Sequence, residues 1–230
     1  NKIVWQNNPV AKVKKGENYL APEIEIIADD ALPLDEKKEL EKYLKNWIDS
    51  HINELLGDLI NLTKIKIENQ YLRALAYQLY ENNGVLKRKN IDDITRLISK
   101  EERKKLWSMG IKIGRYHVFL PKMLKPKAVE LRTMLWRIYN NVLSDLNIPK
   151  FGLNFVKNQN FNEKFLLLCG FEKFNDYFVR IDILEKLFIN IIDTTVDRKF
   201  KISSEMMNLL GCTKEDFFIL IKLMNYRKSK

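Results

Sequence analysis

The chain has 230 residues, of which 46% are hydrophobic and 30% are charged, and its formal net charge at pH 7 is +10. This balance is typical of a soluble globular protein and excludes a chain that is disordered throughout. Its longest apolar runs fall far short of the roughly 20 residues that a membrane-spanning helix needs, so we expect no membrane partner.

The cellular context is indicated by the first residues and by the cysteines. The chain begins without methionine and without the apolar stretch of a signal peptide, so we expect a fragment of a longer protein. Cys169 and Cys212 have no CxxC spacing and no neighbouring histidine. This favours reduced core cysteines over a zinc site, and a cytoplasmic or organelle-matrix location.

Residues 1–34 predict a small β element that is too short to be stable alone. Strands are expected at residues 2–5, 10–14 and 23–27, where apolar and polar residues alternate. Turns are expected at residues 7–9 and near Gly16.

Residues 35–150 predict a helical domain. Apolar residues recur with helical spacing from Asp35 to about residue 60 and again over residues 71–80. Asn82, Asn83 and Gly84 then form a stop signal for the second helix.

Two more helices are predicted in the same domain. Ser99 and Glu102 have the spacing of a capping box, and they begin a helix that Gly110 ends. Pro126 is acceptable in a first helical turn and opens a helix that extends to about Leu146.

Positive charge is concentrated in one part of this domain. Residues 87–137 contain fifteen Lys or Arg against five Asp or Glu, and this surplus of +10 equals that of the whole chain. Within this window, residues 111–120 form a β-branched and aromatic run, followed by a short exposed element between Pro121 and Pro126. Such a frame presents fixed positive charge to a polyanion.

The basic window predicts binding of single-stranded RNA or DNA, since Lys and Arg release counterions from phosphates and aromatic rings stack on bases. Phe119 and Trp136 are further stacking candidates, although the helical spacing around Trp136 favours a core position. The alternative is a solvated face that aids only solubility. The expected contact residues are Lys87, Arg88, Lys89, Lys112, Arg115, Tyr116, His117, Lys122, Lys125, Lys127 and Arg132.

Residues 162–230 follow a polar connector at residues 157–160 and predict a third unit. The expected order is a short helix, a strand at residues 177–181, a helix from Asp182, a strand at residues 200–202 and two helices separated by Gly211. Ser203 and Thr213 are expected to cap the last two helices. This order predicts a winged-helix-like or helix-turn-helix-like module, although three helices also pack this way without nucleic acid. The predicted fold class is mainly α, within α+β.

No catalytic site is predicted. The eight glycines form neither GxxxxGK[ST] nor GxGxxG, so we expect no ATP-binding loop in this chain. His51 is expected to be an ordinary helix residue, and Asp92 and Asp93 to begin a helix. His117 has no carboxylate or cysteine partner in its motif, which makes it weak evidence for catalysis. We expect no enzymatic activity, metal or cofactor in this chain.

Five stretches of the chain form a recognisable series: IVWQNNPVAKV, LRALAYQLYENNGVLKR, GIKIGRYHVFLPKMLKP, VRIDILEKL and ISSEMMNLLGCTKED. They resemble the C-terminal region of bacterial ATP-dependent superfamily 2 helicases, of the DExH type, which are similar to the RNA helicase of the mitochondrial RNA degradosome. The resemblance covers nearly all of the chain.

This resemblance implies that two RecA-like motor domains, which bind ATP and magnesium, lie upstream of the chain. The chain itself would be an accessory region that grips RNA or DNA at the motor. The alternative that the resemblance implies is a scaffold that braces the motor domains or docks a partner such as a nuclease. The sequence leaves open both the choice between RNA and DNA and the strand polarity.

Overall fold

The computed structural model describes residues 2–27, 33–64, 67–142, 146–157 and 162–228. Its fold is α+β. The strands are β1 Lys2–Trp5, β2 Asn8–Asn18, β3 Ala21–Ile26, β4 Val85–Lys87, β5 Lys112–Ile113, β6 His117–Phe119, β7 Phe155–Lys157, β8 Phe171–Phe174 and β9 Tyr177–Arg180. The helices are α1 Leu34–Lys64, α2 Gln70–Glu81, α3 Asp92–Arg96, α4 Lys100–Ser108, α5 Pro126–Tyr139, α6 Glu163–Leu168, α7 Ile181–Asp193, α8 Ser204–Leu210 and α9 Lys214–Leu223.

The first sheet is an antiparallel meander of β1, β2 and β3. The predicted turn near Gly16 is wrong, because Gly16 lies inside β2, where the pairing with β3 shifts register between Lys14 and Asn18. The chain reverses after this irregularity, at Tyr19 and Leu20. A Cβ atom on Gly16 would lie 1.9 Å from the carbonyl oxygen of Ala21. Glycine is therefore required at this position by the close approach of two backbones.

Helix α1 has 31 residues and packs against β3, α2 and α5. Its buried stripe includes Leu44, Ile48 and Leu56, which share one core with Val13 and Ile24 of the first sheet. The β element is therefore part of the same packed unit as the helices. No helix in the described ranges has both the length and the apolarity for crossing a membrane.

The predicted helix ends are largely confirmed. Ser99 and Glu102 form the capping box of α4, and Gly84, with a φ of 83°, follows the end of α2. Helix α5 ends at Tyr139, which is earlier than the predicted end near Leu146, and residues 143–145 lie outside the described residues. Asn141 adopts a φ of 52°, a left-handed conformation that no α-helix continues through.

The second sheet, in the order β4-β6-β5, has two buried faces. Leu86 and Val118 belong to the core that the first sheet forms with helices α1, α2, α4 and α5, a part of the molecule that we call the helical half. On the opposite face, Val85 and Phe119 pack with Ile181 at the start of α7. This small sheet is therefore one of the places where the helical half contacts the C-terminal segment; helix α5, which packs against α6, is another.

The third sheet, in the order β7-β9-β8, begins before the predicted boundary at residue 162. Strand β7 pairs with β9, so the C-terminal unit includes Phe155–Lys157, while connector residues 158–160 lie outside the described residues. Residues 200–202 do not form the predicted strand. The only pairing described near them is an isolated bridge between Val196 and Lys199. The winged-helix topology stays a prediction.

The predicted helix caps of the C-terminal unit are confirmed, and the prediction of buried core cysteines is confirmed for Cys169 alone. Ser203 and Thr213 accept hydrogen bonds from the backbone at the starts of α8 and α9, and Gly211 between them is left-handed. Cys169 is buried, Cys212 is half-buried, and both are free cysteines.

We expect Gly16→Ala to lower the free energy of unfolding by about 1–3 kcal/mol, because the added methyl group overlaps the Ala21 carbonyl. Thermal melting followed by circular dichroism measures the change. Gly57→Ala in α1 is the matched control, since its Cβ meets nothing within 4 Å. That variant should be neutral or more stable by about 0.5–1 kcal/mol, owing to the helix propensity of alanine. Equal effects at the two sites would contradict this account of β2.

Candidate nucleic-acid interface

The centre of the basic window is a tight turn between β5 and β6. The N–H of Gly114 donates to the carbonyl of His117 at 2.8 Å and closes the turn. Arg88 follows β4 and holds the turn from the side: its backbone N–H donates to the Tyr116 carbonyl at 2.8 Å, and its Nη1 donates to the Gly114 carbonyl at 3.0 Å. The backbone of the turn is thereby tied to the neighbouring strand.

A buried carboxylate from the C-terminal segment holds the same turn from beneath. Glu185 on α7 accepts the backbone N–H groups of Arg115, Tyr116 and His117 at 2.6, 2.8 and 3.1 Å. A Cβ on Gly114 would lie only 2.3–2.5 Å from this carboxyl group, so glycine is required for the contact. Burial alone would raise the pKa of Glu185, but the imidazole of His117 and these N–H donors lower it below its usual value.

A second acid, Glu172 on β8, pairs with two of the predicted contact residues. Its carboxylate lies 2.7 Å from Nε2 of His117 and 2.8 Å from Nζ of Lys87, and Lys87 also donates to Glu163 at 3.1 Å. Burial disfavours the charged form of His117, but its carboxylate neighbours outweigh this effect and raise its pKa. The pKa of Glu172 is lowered, since the two cations overcome the effect of its burial.

His117 and Lys87 therefore hold β4 and β6 against the C-terminal segment, in addition to contributing basic charge. They lie opposite each other on paired strands and face the C-terminal segment. His117 is 1% exposed, and its Nδ1 lies 3.8 Å from Glu185, so its ring stands between two carboxylates. The prediction that His117 has no carboxylate partner holds only for its local sequence.

Beside the turn is a cavity of about 300 Å³. Its lining residues are Lys87, Arg88, Lys89, Asp92, Arg115, Tyr116, His117, Glu172 and Phe174. Both acids in this lining are already paired, Asp92 with Arg88 and Arg96, and Glu172 with Lys87 and His117. The cavity therefore combines a surplus of positive charge with two aromatic rings.

Arg115 and Lys89 are the exposed cations of this lining. The Arg115 guanidinium lies 5.7 Å from the centre of the Phe188 ring, and the Tyr116 ring meets the same phenylalanine edge-on. Neither cation forms an ion pair with a described residue. Both are free to contact an anion.

The other predicted cations occupy different elements. Lys122 donates to Asp58 of α1 at 3.0 Å, and Lys112 lies over the Phe119 ring. Lys125 and Lys127 are exposed where α5 begins, and within the described ranges neither has an acidic partner. The cationic charge is thus spread over β4, the β5–β6 turn and the start of α5.

The prediction that Arg132 contacts nucleic acid is wrong, because its side chain is fully buried. Its guanidinium donates to the backbone carbonyls of Asn83, Met123 and Leu168. Burial lowers the pKa of this guanidinium, which still remains a cation at neutral pH. Arg132 is an internal bridge between chain segments and has no surface for a nucleic acid to contact.

The aromatic residues predicted to stack on bases differ in their exposure. Phe119 is 1% exposed, so the prediction that it stacks on bases is wrong. Trp136 is half-buried and lies 6.2 Å from the Phe165 ring, in agreement with a core position. Tyr116 is half-buried and lines the cavity, and its contact with nucleic acid stays a prediction.

Sequence reasoning missed Glu172, Glu185 and Phe174. A signal for Glu185 was present, because it falls on the apolar stripe that Ile181, Leu184 and Phe188 form along α7. An acid on a buried stripe needs a buried partner. Glu172 and Phe174 carry no comparable signal.

The chain matches no protein-family model, no curated protein sequence and no solved structure at a significant level. Among the described residues, no group of three or more His, Cys, Asp or Glu is placed to hold a metal ion.

We expect Arg132→Met to lower the free energy of unfolding by about 3–5 kcal/mol, because three carbonyl groups lose their donor and two of these hydrogen bonds are buried. Denaturant unfolding followed by circular dichroism measures this loss. Lys127→Met in the same helix is the control and should change stability by no more than about 0.5 kcal/mol, since Lys127 is exposed. A small effect at Arg132 would mean that the guanidinium is not the bridge described above.

The pKa shift of His117 predicts a specific pH dependence of stability. Its folded-state pKa lies above the unfolded value of about 6.5. The protonated ring therefore stabilises the fold fully below that pH, and the contribution is lost as pH rises through the folded pKa. Glu172 and Glu185 have lowered pKa values, so their contribution is present above about pH 4.5 and is lost as pH falls through the folded values.

Melting temperatures of His117→Gln and the unaltered chain, measured from about pH 5 to 9, test this dependence. The unaltered chain should lose stability towards the alkaline end, and His117→Gln should lack that loss. His51→Gln is the control, because the chain has two histidines. If His51→Gln removed the slope and His117→Gln kept it, the assignment to His117 would be wrong.

Proposed function

We propose that this chain binds single-stranded nucleic acid with little base preference, through the basic turn and the cavity beside it. The observation that carries this proposal is the exposed Arg115 on a turn whose backbone is fixed by the buried carboxylate of Glu185. A cation on a fixed backbone loses less conformational entropy on binding phosphate than one on a mobile segment does.

The cavity suits one nucleotide of such a strand, because its lining offers cations to the phosphate and aromatic rings to the base. Lys89 and Arg115 supply exposed donors for phosphate oxygens, and Arg presents several of them in a fixed fork. The rings of Tyr116 and Phe174 supply apolar faces against which a base can pack. Contacts to phosphate and stacking on a base carry no sequence information, which supports binding without sequence preference.

The resemblance to superfamily 2 helicases gives this activity a setting. In that setting the chain is the accessory C-terminal region of an ATP-dependent RNA or DNA helicase, and its partners are the strand and the helicase's own motor domains. ATP and magnesium would be used by the motor, while the chain contributes grip on the strand without an enzymatic activity of its own.

A second candidate function is protein docking, and exposed aromatic residues on α1 favour it. Tyr43 and Trp47 are exposed one turn apart, and the Trp47 ring stacks on His51 with its plane tilted by only 2°. Aromatic residues are enriched at protein interfaces. On this alternative, α1 braces the motor domains or binds a partner such as a nuclease.

We expect the chain to bind a 12-residue oligouridine in a salt-dependent manner, measured by fluorescence anisotropy. If about six phosphates are contacted, the logarithm of the affinity should fall against the logarithm of the salt concentration with a slope near −4, at roughly −0.7 per contact. The double variant Lys89→Gln/Arg115→Gln should bind several-fold more weakly and reduce the slope by about 1–1.5.

The matched control is Lys12→Gln/Lys42→Gln, which removes the same charge from exposed positions on β2 and α1. It should keep most of the affinity, and all variants should melt at nearly the same temperature. Equal losses in the two double variants would show that net charge, and not the turn, carries binding. Absence of binding at low salt would leave the docking function of α1 as the better candidate.

A further inference from the structure

Helix α4 carries an aromatic side chain that the core does not use. Trp107 is 76% exposed, more than any other large hydrophobic side chain in the described residues. The helix is nevertheless well anchored, by its capping box at Ser99 and by Leu106, which is fully buried. Trp107 is therefore held in solvent by a fixed helix, at the cost of leaving a large apolar ring hydrated.

The surroundings of Trp107 on this helix are cationic. Lys100, Arg103 and Lys104 precede it by seven, four and three residues, and these spacings place all three on its side of the helix. Lys100 and Lys104 are exposed. Arg103 donates to the carbonyls of Thr95 and Ile98, so its guanidinium is held towards the segment that precedes α4.

The two acids of α4 do not neutralise this face. Glu102 points back to the start of the helix, where it accepts hydrogen bonds from the backbone N–H of Ser99 and from Asn69. Glu101 lies about 120° around the helix from Trp107, at 100° per residue. A flat aromatic ring beside exposed cations can stack a base while the neighbouring charges contact phosphates.

We propose that Trp107 is a base-stacking platform for single-stranded nucleic acid, with Lys100 and Lys104, which both lie N-terminal of the ring along α4, contacting the phosphates next to the stacked base. This assignment rests on the proposed function and extends it to a second element, α4, outside the predicted contact set. It requires no readout of base edges, so the second contact adds affinity without sequence preference.

Two other partners fit this face less well. A membrane-surface helix needs a broad apolar face, and α4 exposes only Trp107, since Leu106 points into the core. A protein interface is depleted of lysine at its centre, whereas here two lysines lie beside the ring. A single strand offers a base to the ring and phosphates to the lysines.

The test compares two 12-residue strands, oligothymidine and an abasic strand that keeps the phosphates but lacks bases. Trp107→Ala should weaken oligothymidine binding by at least about fivefold, because stacking on one base is lost. The same variant should bind the abasic strand as the unaltered chain does. Trp107→Phe should keep most of the affinity for oligothymidine, and Lys100→Gln/Lys104→Gln should weaken both strands alike.

Trp5→Ala is the matched control, since Trp5 is 69% exposed on β1 and has no place in the proposal. It should leave both affinities unchanged. Unchanged oligothymidine binding by Trp107→Ala, or an equal loss on the abasic strand, would overturn the stacking assignment alone. If the unaltered chain bound neither strand, the proposed function itself would fall, and this assignment with it.

Anionic phosphatidylserine vesicles serve as a competing probe. Under the proposal, Trp107→Ala changes strand binding and leaves any sedimentation with vesicles as it was. Loss of vesicle binding with unchanged strand binding would overturn the proposal in favour of a membrane-surface contact.

Discussion

The carboxylate of Glu185 determines the geometry of the basic surface, because it collects three consecutive backbone N–H groups of the turn that carries Arg115. A buried carboxylate without donors would be unstable, and the N–H groups that point inward from the turn would also be costly if they were left unpaired. The carboxylate and the three N–H groups satisfy each other's hydrogen-bonding requirement. The interaction also requires Gly114, since any side chain there would occupy the position of the carboxyl group.

The other charged contacts extend this interaction into a network that crosses the molecule. His117 stands between Glu185 and Glu172, and Lys87 connects Glu172 with Glu163 of α6. Members of the network come from the helical half and from the C-terminal segment. Part of the basic window is thus used to hold the protein together, and the charge left for a ligand is on residues outside the network, such as Lys89 and Arg115.

Local features were predictable from the sequence because their causes are local. The capping box at Ser99, the stop at Gly84 and the caps at Ser203 and Thr213 depend only on residues within one helical turn. The place of Gly16 was mistaken, since its requirement comes from a neighbouring strand. Arg132 was mistaken for the same reason: a basic residue in a basic window looks exposed until the three distant carbonyls that it binds are known.

The sheet of β4, β6 and β5 has a consequence for how the molecule unfolds. One face belongs to the core of the helical half, and the other packs Val85 and Phe119 against Ile181. Separating the C-terminal segment would expose this second face to water and leave Glu172 and Glu185 without their partners. Separating the two halves would therefore cost both of them buried contacts, which couples the stability of one half to that of the other.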